Sequence, residues 1–137
     1  MAVDTERGLM VPVLKNADDY NLSGLSSKLK TLAGDCRNGS IDPELLKAHE
    51  GSFTVSNLGA YGIEMFTPVL NIPQTGILGI NTIKYEARET GGTISFIPVI
   101  GLSLTYDHRA IDGAPASAFL KDLAEFISLF PVEINLG

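Results

Sequence analysis

The chain has 137 residues, 45% of them apolar and 19% charged, enough to bury one core and too few for a second folded unit. A formal charge of −6 and a pI near 4.7 argue against clustered Lys and Arg of the kind that grips a phosphate backbone, so nucleic acid is not expected as a partner. No apolar stretch approaches the roughly 20 residues of a membrane span, no basic leader runs into an apolar segment after Met1, and the single cysteine, Cys36, has no internal disulfide partner. The expectation is a soluble protein of the reducing cytoplasm.

In chain order, Leu9-Met10-Val11-Pro12-Val13-Leu14 reads as a short strand, with Pro12 marking an edge or bulge because it cannot donate to a ladder. Asn21 is a helix N-cap, and Leu22, Leu25, Leu29 and Leu32 recur at spacings of three and four, predicting an amphipathic helix that stops at Gly34. Asp42-Pro43-Glu44 opens a second, shorter helix carrying Leu45, Leu46 and Ala48. From Ser52 to Tyr106 the chain reads as sheet: Phe53 to Ser56, Gly76 to Ile80, Ile83 to Arg88, then the Gly91-Gly92 turn and a long strand from Thr93 to Tyr106. A last helix carries Ala116, Phe119, Leu120, Leu123, Phe126 and Ile127 on one face. Helices flanking a block of strands predict an α+β or mixed α/β sandwich, a mixed sheet with packed helices.

Asp107-His108-Arg109-Ala110-Ile111-Asp112-Gly113 stands out where the long strand ends and the last helix begins. Taken alone, a histidine between two aspartates describes a surface turn, a metal site or a base oriented by its neighbours. The metal reading loses ground because the other histidine, His49, lies in a predicted helix with no ligand-type spacing to His108. The residues by themselves leave the turn and the base open.

The same seven residues resemble the DHRxxDG signature of the 2-oxo acid dehydrogenase acyltransferases, the dihydrolipoamide acyltransferase family within the chloramphenicol acetyltransferase-like superfamily. Four further blocks resemble that family in the family's order: Gly8 to Val13, Phe53-Thr54-Val55-Ser56-Asn57-Leu58-Gly59, Phe66-Thr67-Pro68-Val69-Leu70-Asn71, and Gly76 to Ile80. The resemblance spans about residues 2 to 130. It implies an acyltransferase in which His108, the general base, takes the thiol proton of coenzyme A or of a dihydrolipoyl group while the sulfur attacks an acyl thioester. A thiol with a pKa near 8.5 is mostly protonated at neutral pH, so a neutral imidazole suits the task. Ser56, matching the serine of the family's FTxS block, is implied as hydroxyl donor to the oxyanion of the tetrahedral intermediate. Asp112 joins the site as the residue that orders the turn or pairs with a cation, while Asp107 and Arg109 read as local ion-pair partners and Gly113 as a place of close approach.

The resemblance further implies a homotrimer in which His108 of one subunit meets Ser56 of the next, with coenzyme A and a lipoyl group, carried on the lipoyl domain of a separate chain, entering from opposite ends. No metal is implied. Residues 1–137 are read as one partial catalytic domain: the helix and strand that precede these blocks in the family are not seen, nor are a lipoyl domain or a peripheral-subunit-binding domain. A truncated relative, a fragment, or a split protein whose N-terminal half is encoded elsewhere each fits. The alternative to an active enzyme is a weak or inactive trimeric scaffold module. Transfer to a small hydroxylic acceptor, as in chloramphenicol acetyltransferases, shares the HxxxDG arrangement but fits the flanking blocks less well.

Overall fold

The computed structural model describes residues 1–130; the last seven residues of the expected domain lie outside those described. Two short strands, β1 (Val3–Thr5) and β2 (Gly8–Met10), form an antiparallel hairpin, turned at Gly8, whose φ of 106° suits a residue without a side chain. The strand expected over Leu9 to Leu14 is thus shorter and begins earlier. Pro12 carries no N–H to continue the ladder, and Pro12 and Val13 turn inward as buried side chains instead.

Helix α1 spans Leu22–Asn38. Asn21 caps it through a 2.8 Å bond from the Gly24 N–H to its Oδ1, as its position predicts. The helix does not end at Gly34. It continues because the buried row Leu32 and Cys36 extends one turn further, outweighing the roughly 1 kcal/mol that a helical glycine costs. The stop is Gly39, left-handed at φ 73°, whose N–H caps the Asp35 and Cys36 carbonyls. The second expected helix is a single 3₁₀ turn, Pro43–Leu46, capped by Asp42 and followed by another at Ala48–Glu50. Val13 N–H takes the Leu45 carbonyl at 2.7 Å, so that acceptor is not available to propagate an α-helix.

Strand β3 (Thr54–Asn57) pairs in parallel with β4 (Gly76–Thr90), and β4 pairs antiparallel with β5 (Thr93–Tyr106), giving the mixed sheet order β3-β4-β5. The two expected pieces of β4 are one strand, with a register irregularity between Ile80 and Ile83. Helix α2 (Gly113–Leu129) lies on the face of the sheet that carries Gly76, where Phe53 fills the space over that glycine and meets Phe119 edge-on at a centroid distance of 6.2 Å. The other face carries Thr54, Ser56, Ile77, Gly79, Ser103 and Thr105, and the Gly62–Thr75 connection covers part of it. Beyond the bulge, Ile83, Tyr85, Ile94, Phe96 and Ile100 share one face by register and stand exposed, with Phe96 72% accessible. Among the described residues no helix is long and apolar enough to cross a membrane.

Candidate active site

The Asp107–Gly113 turn is built from its own backbone. Asp107 N–H bonds the Thr75 carbonyl at 2.9 Å, tying the end of β5 to the start of β4. The Asp107 carbonyl then accepts from Ala110 N–H at 2.9 Å and Ile111 N–H at 3.2 Å, closing one tight turn that lifts His108 and Arg109 into solvent. The Asp107 carboxylate accepts from the Arg109 side chain at Nε and Nη2 (2.6 Å at Nη2), and from the Arg109 N–H at 2.9 Å. These side-chain bonds first, and the backbone bond second, hold the Asp107 carboxyl down at about 2. Asp107 and Arg109 are the local pair that the sequence suggests.

Asp112 occupies the N-cap position of α2, in extended conformation, and its carbonyl accepts from Ala116 N–H at 3.2 Å. Its carboxylate makes no cap bond. It faces the histidine instead, with Oδ1 3.5 Å from His108 Nδ1 across an exposed i, i+4 pair. The Tyr106 ring lies 5.7 Å from the imidazole and flanks it on the strand side. With Nδ1 turned toward a carboxylate, Nε2 is the nitrogen left to exchange a proton with an incoming group. Gly113 opens α2, and a Cβ there would meet only the Tyr106 hydroxyl, at 3.4 Å, about ordinary contact distance, so the close approach expected at this glycine is not seen.

Ser56 is half-buried on β3, beside Gly79 of β4, which in turn pairs with Ser103 of β5. The register also fixes how far it stands from His108. Tyr106 pairs with Gly76, three residues along β4 from Gly79, and β3 lies two strands from β5. At about 3.3 Å per residue and about 4.8 Å per strand, Ser56 is about 14 Å from Tyr106, and His108 lies beyond that. One chain therefore brings His108 and Asp112 together and keeps Ser56 apart. His49, on its 3₁₀ turn, sits 3.5 Å from Glu50.

Two features had no local signal in the sequence. A cleft of about 530 Å³ opens beside the turn, walled by Val69, Leu70, Ile72 and Pro73, with Thr105 and Arg109 on its polar side. Buried under the sheet-covering connection, Thr105 Oγ1 and Asn81 Oδ1 have no hydrogen-bond partner among the described residues. Asn57, by contrast, is a turn residue, its Oδ1 accepting from Gly59 N–H at 2.8 Å.

Comparison with known proteins gives one consistent answer. Residues 1–135 match the family described as 2-oxoacid dehydrogenases acyltransferase (catalytic domain). The dihydrolipoyllysine-residue acetyltransferase component of the acetoin cleaving system of Bacillus subtilis is 43% identical over 127 residues, covering 93% of this chain and 31% of that protein. The dihydrolipoamide acetyltransferase of Azotobacter vinelandii superposes with a TM-score of 0.88 at 34% identity, over 93% of this chain and 52% of that one. The cubic core of the pyruvate dehydrogenase multienzyme complex superposes with a TM-score of 0.86 at 36% identity, over 91% and 51%. The chain spans about a third of the curated relatives it matches and about half of the solved chains. Matched in sequence over nearly its whole length and in backbone across sheet and helices, the chain belongs to the 2-oxoacid dehydrogenase acyltransferase family, within its catalytic domain.

Proposed function

We propose that this chain transfers an acyl group between coenzyme A and a dihydrolipoyl group, with His108 as general base, Asp112 as the residue that orients it and Ser56 as oxyanion donor. The observation that carries this reading is the pairing of His108 Nδ1 with Asp112 at 3.5 Å on a turn presented by the end of β5. Spacing supports it. In the Azotobacter enzyme, the serine, histidine and asparagine investigated for their catalytic role are 52 and 4 residues apart, and Ser56, His108 and Asp112 have the same separations. The third residue differs in kind: a carboxylate stands here where that enzyme has an amide.

Nε2 of His108 accepts the thiol proton as the sulfur attacks the thioester carbonyl. The tetrahedral intermediate carries its negative charge on the former carbonyl oxygen, where the Ser56 hydroxyl donates. Collapse breaks the original C–S bond, and the departing thiolate takes the proton back from the imidazolium. The apolar wall of Val69, Ile72 and Pro73 beside the turn suits an uncharged arm leading to a thiol.

The same geometry supports a reading of the partners. With Ser56 and His108 more than about 14 Å apart in one chain on strand spacings, we take a site completed between two chains of a homotrimer, and with it the lipoyl domain of a separate chain as substrate carrier and the cytoplasm as location. The exposed apolar face of the β4–β5 hairpin supplies surface for that contact. The competing reading is a scaffold module without turnover.

Thiol release from acetyl-CoA with free dihydrolipoamide, measured together with mass in solution, separates the two. A trimer with turnover is expected; a stable monomer at micromolar concentration, or a trimer without turnover, overturns the enzymatic reading. Mixing the inactive His108→Ala and Ser56→Ala chains should restore part of the activity after subunit exchange, because some hybrid interfaces hold both intact residues. Proven exchange without recovery would show that the two residues do not share an intersubunit site.

A further inference from the structure

We propose that Phe66, seated on Gly79 beside Ser56, is the residue that limits the size of the acyl group, and that the site takes short, uncharged acyl groups of acetyl size. This rests on the acyl-transfer reading above and on Ser56 as the residue that holds the thioester oxygen.

Ser56 and Gly79 are paired neighbours on β3 and β4, so their side-chain positions lie next to each other on one face of the sheet. Gly79 leaves its position open, and Phe66 fills it: a Cβ there would meet the ring at 2.7, 3.0 and 3.3 Å. The aromatic ring is therefore the immediate neighbour of the Ser56 position along the sheet. A carbonyl oxygen held by Ser56 leaves its acyl substituent to extend over a surface that this ring occupies. One methylene more or less in such a pocket changes kcat/KM by about 10- to 200-fold, so the ring is a size filter of useful strength.

Charge discrimination comes from the next position along that face of β4. Asn81, two residues along β4 on the same face, is 4% exposed and donates from Nδ2 to Ser103 Oγ at 3.4 Å, while its Oδ1 is buried without a partner among the described residues. Gly101 lies tight against the amide, where a Cβ would be 2.9 Å from Nδ2. A neutral amide whose free atom is an acceptor gives a terminal carboxylate no cation to pair with, and burying an unpaired carboxylate is costly. The Arg109 guanidinium stands away from this position, beyond the Gly76–Tyr106 end of the ladder, and is engaged by Asp107. Acetyl is accommodated; succinyl and longer chains are opposed.

The test compares kcat/KM for acetyl-, butyryl- and succinyl-CoA with free dihydrolipoamide, for the unaltered protein and for Phe66→Ala and Phe66→Leu, each checked for mass and thermal unfolding. The unaltered protein should favour acetyl over both others by at least about tenfold. Phe66→Ala should raise the butyryl-to-acetyl ratio by about tenfold or more, Phe66→Leu by less, with succinyl remaining poor in both. If Phe66→Ala does not fold, Phe66→Leu carries the test by itself, with the smaller rise in the butyryl-to-acetyl ratio. Unchanged ratios in the folded variants, or succinyl used as well as acetyl by the unaltered protein, overturn the proposal while leaving acyl transfer standing. No turnover with any of the three thioesters overturns both.

Discussion

The Asp107–Gly113 turn and the Thr54–Asn57 strand carry the two halves of one proposed site by opposite means. The turn is largely self-contained: its bonds run within seven residues, apart from the tie to Thr75 and the Asp112 carbonyl that starts α2, and His108 and Asp112 are exposed. The strand owes its place to partners distant in sequence: its ladder to β4, and the buried Thr54 hydroxyl bonded to Gln74, itself fixed to the Ala48 carbonyl at 3.1 Å. A base that must meet a mobile thiol gains from exposure on a rigid local turn, whereas an oxyanion donor gains from being locked in a sheet before charge develops. Changes in the turn should therefore cost turnover, and changes in the strand should cost the fold as well.

The largest effect expected is at the turn. His108→Ala should lower acyl transfer by on the order of 10²–10⁴ while leaving the thermal unfolding midpoint near that of the unaltered chain; a large drop in that midpoint would show that the turn is structural rather than reactive. Next comes the strand. Thr54→Val keeps the shape but leaves Gln74 Oε1 buried without its donor, at about 1–3 kcal/mol, and should lower stability in denaturant titrations and, through displacement of Ser56, turnover. If stability is unchanged, the strand is not the embedded element its bonds indicate. The smallest effect belongs to the Asp107–Arg109 pair, which is open to solvent and screened by salt. Because the Asp107 pKa is depressed, its contribution is present above the unfolded carboxylate value of about 3.9 and is lost as pH falls through about 2. Arg109→Ala should return the Asp107 titration, followed by carboxyl-carbon NMR, toward about 3.9 and flatten the stability loss over that window.

That contrast also explains what was legible in the sequence. Asn21 as a cap, the Gly91-Gly92 turn, β5 and the last helix follow from neighbours within a few residues, and so does the DHRAIDG turn. Gly34 misleads because the buried Cys36 one turn later decides where α1 ends. The Pro43–Leu46 turn misleads because a carbonyl it needs is claimed by Val13 from outside. Among the candidate site residues, spacing marks His108 and Asp112 only as an unusual polar turn, and their proposed roles, like that of Ser56, come through resemblance, whereas Phe66 emerges only once β3 and β4 are paired.

The long β4–β5 ladder has a consequence in time. Its two strands are joined by Gly91-Gly92 alone, so they can zip together from the turn on the microsecond scale of hairpins. Strand β3 pairs in parallel and must close the whole Leu58–Thr75 connection before its first bond to β4 repays the lost chain entropy. Pulse-labelled hydrogen exchange during refolding should show amides of β4 and β5 protected first and those of Thr54 to Asn57 later, so the nascent protein exposes a finished platform before the strand that carries Ser56 arrives.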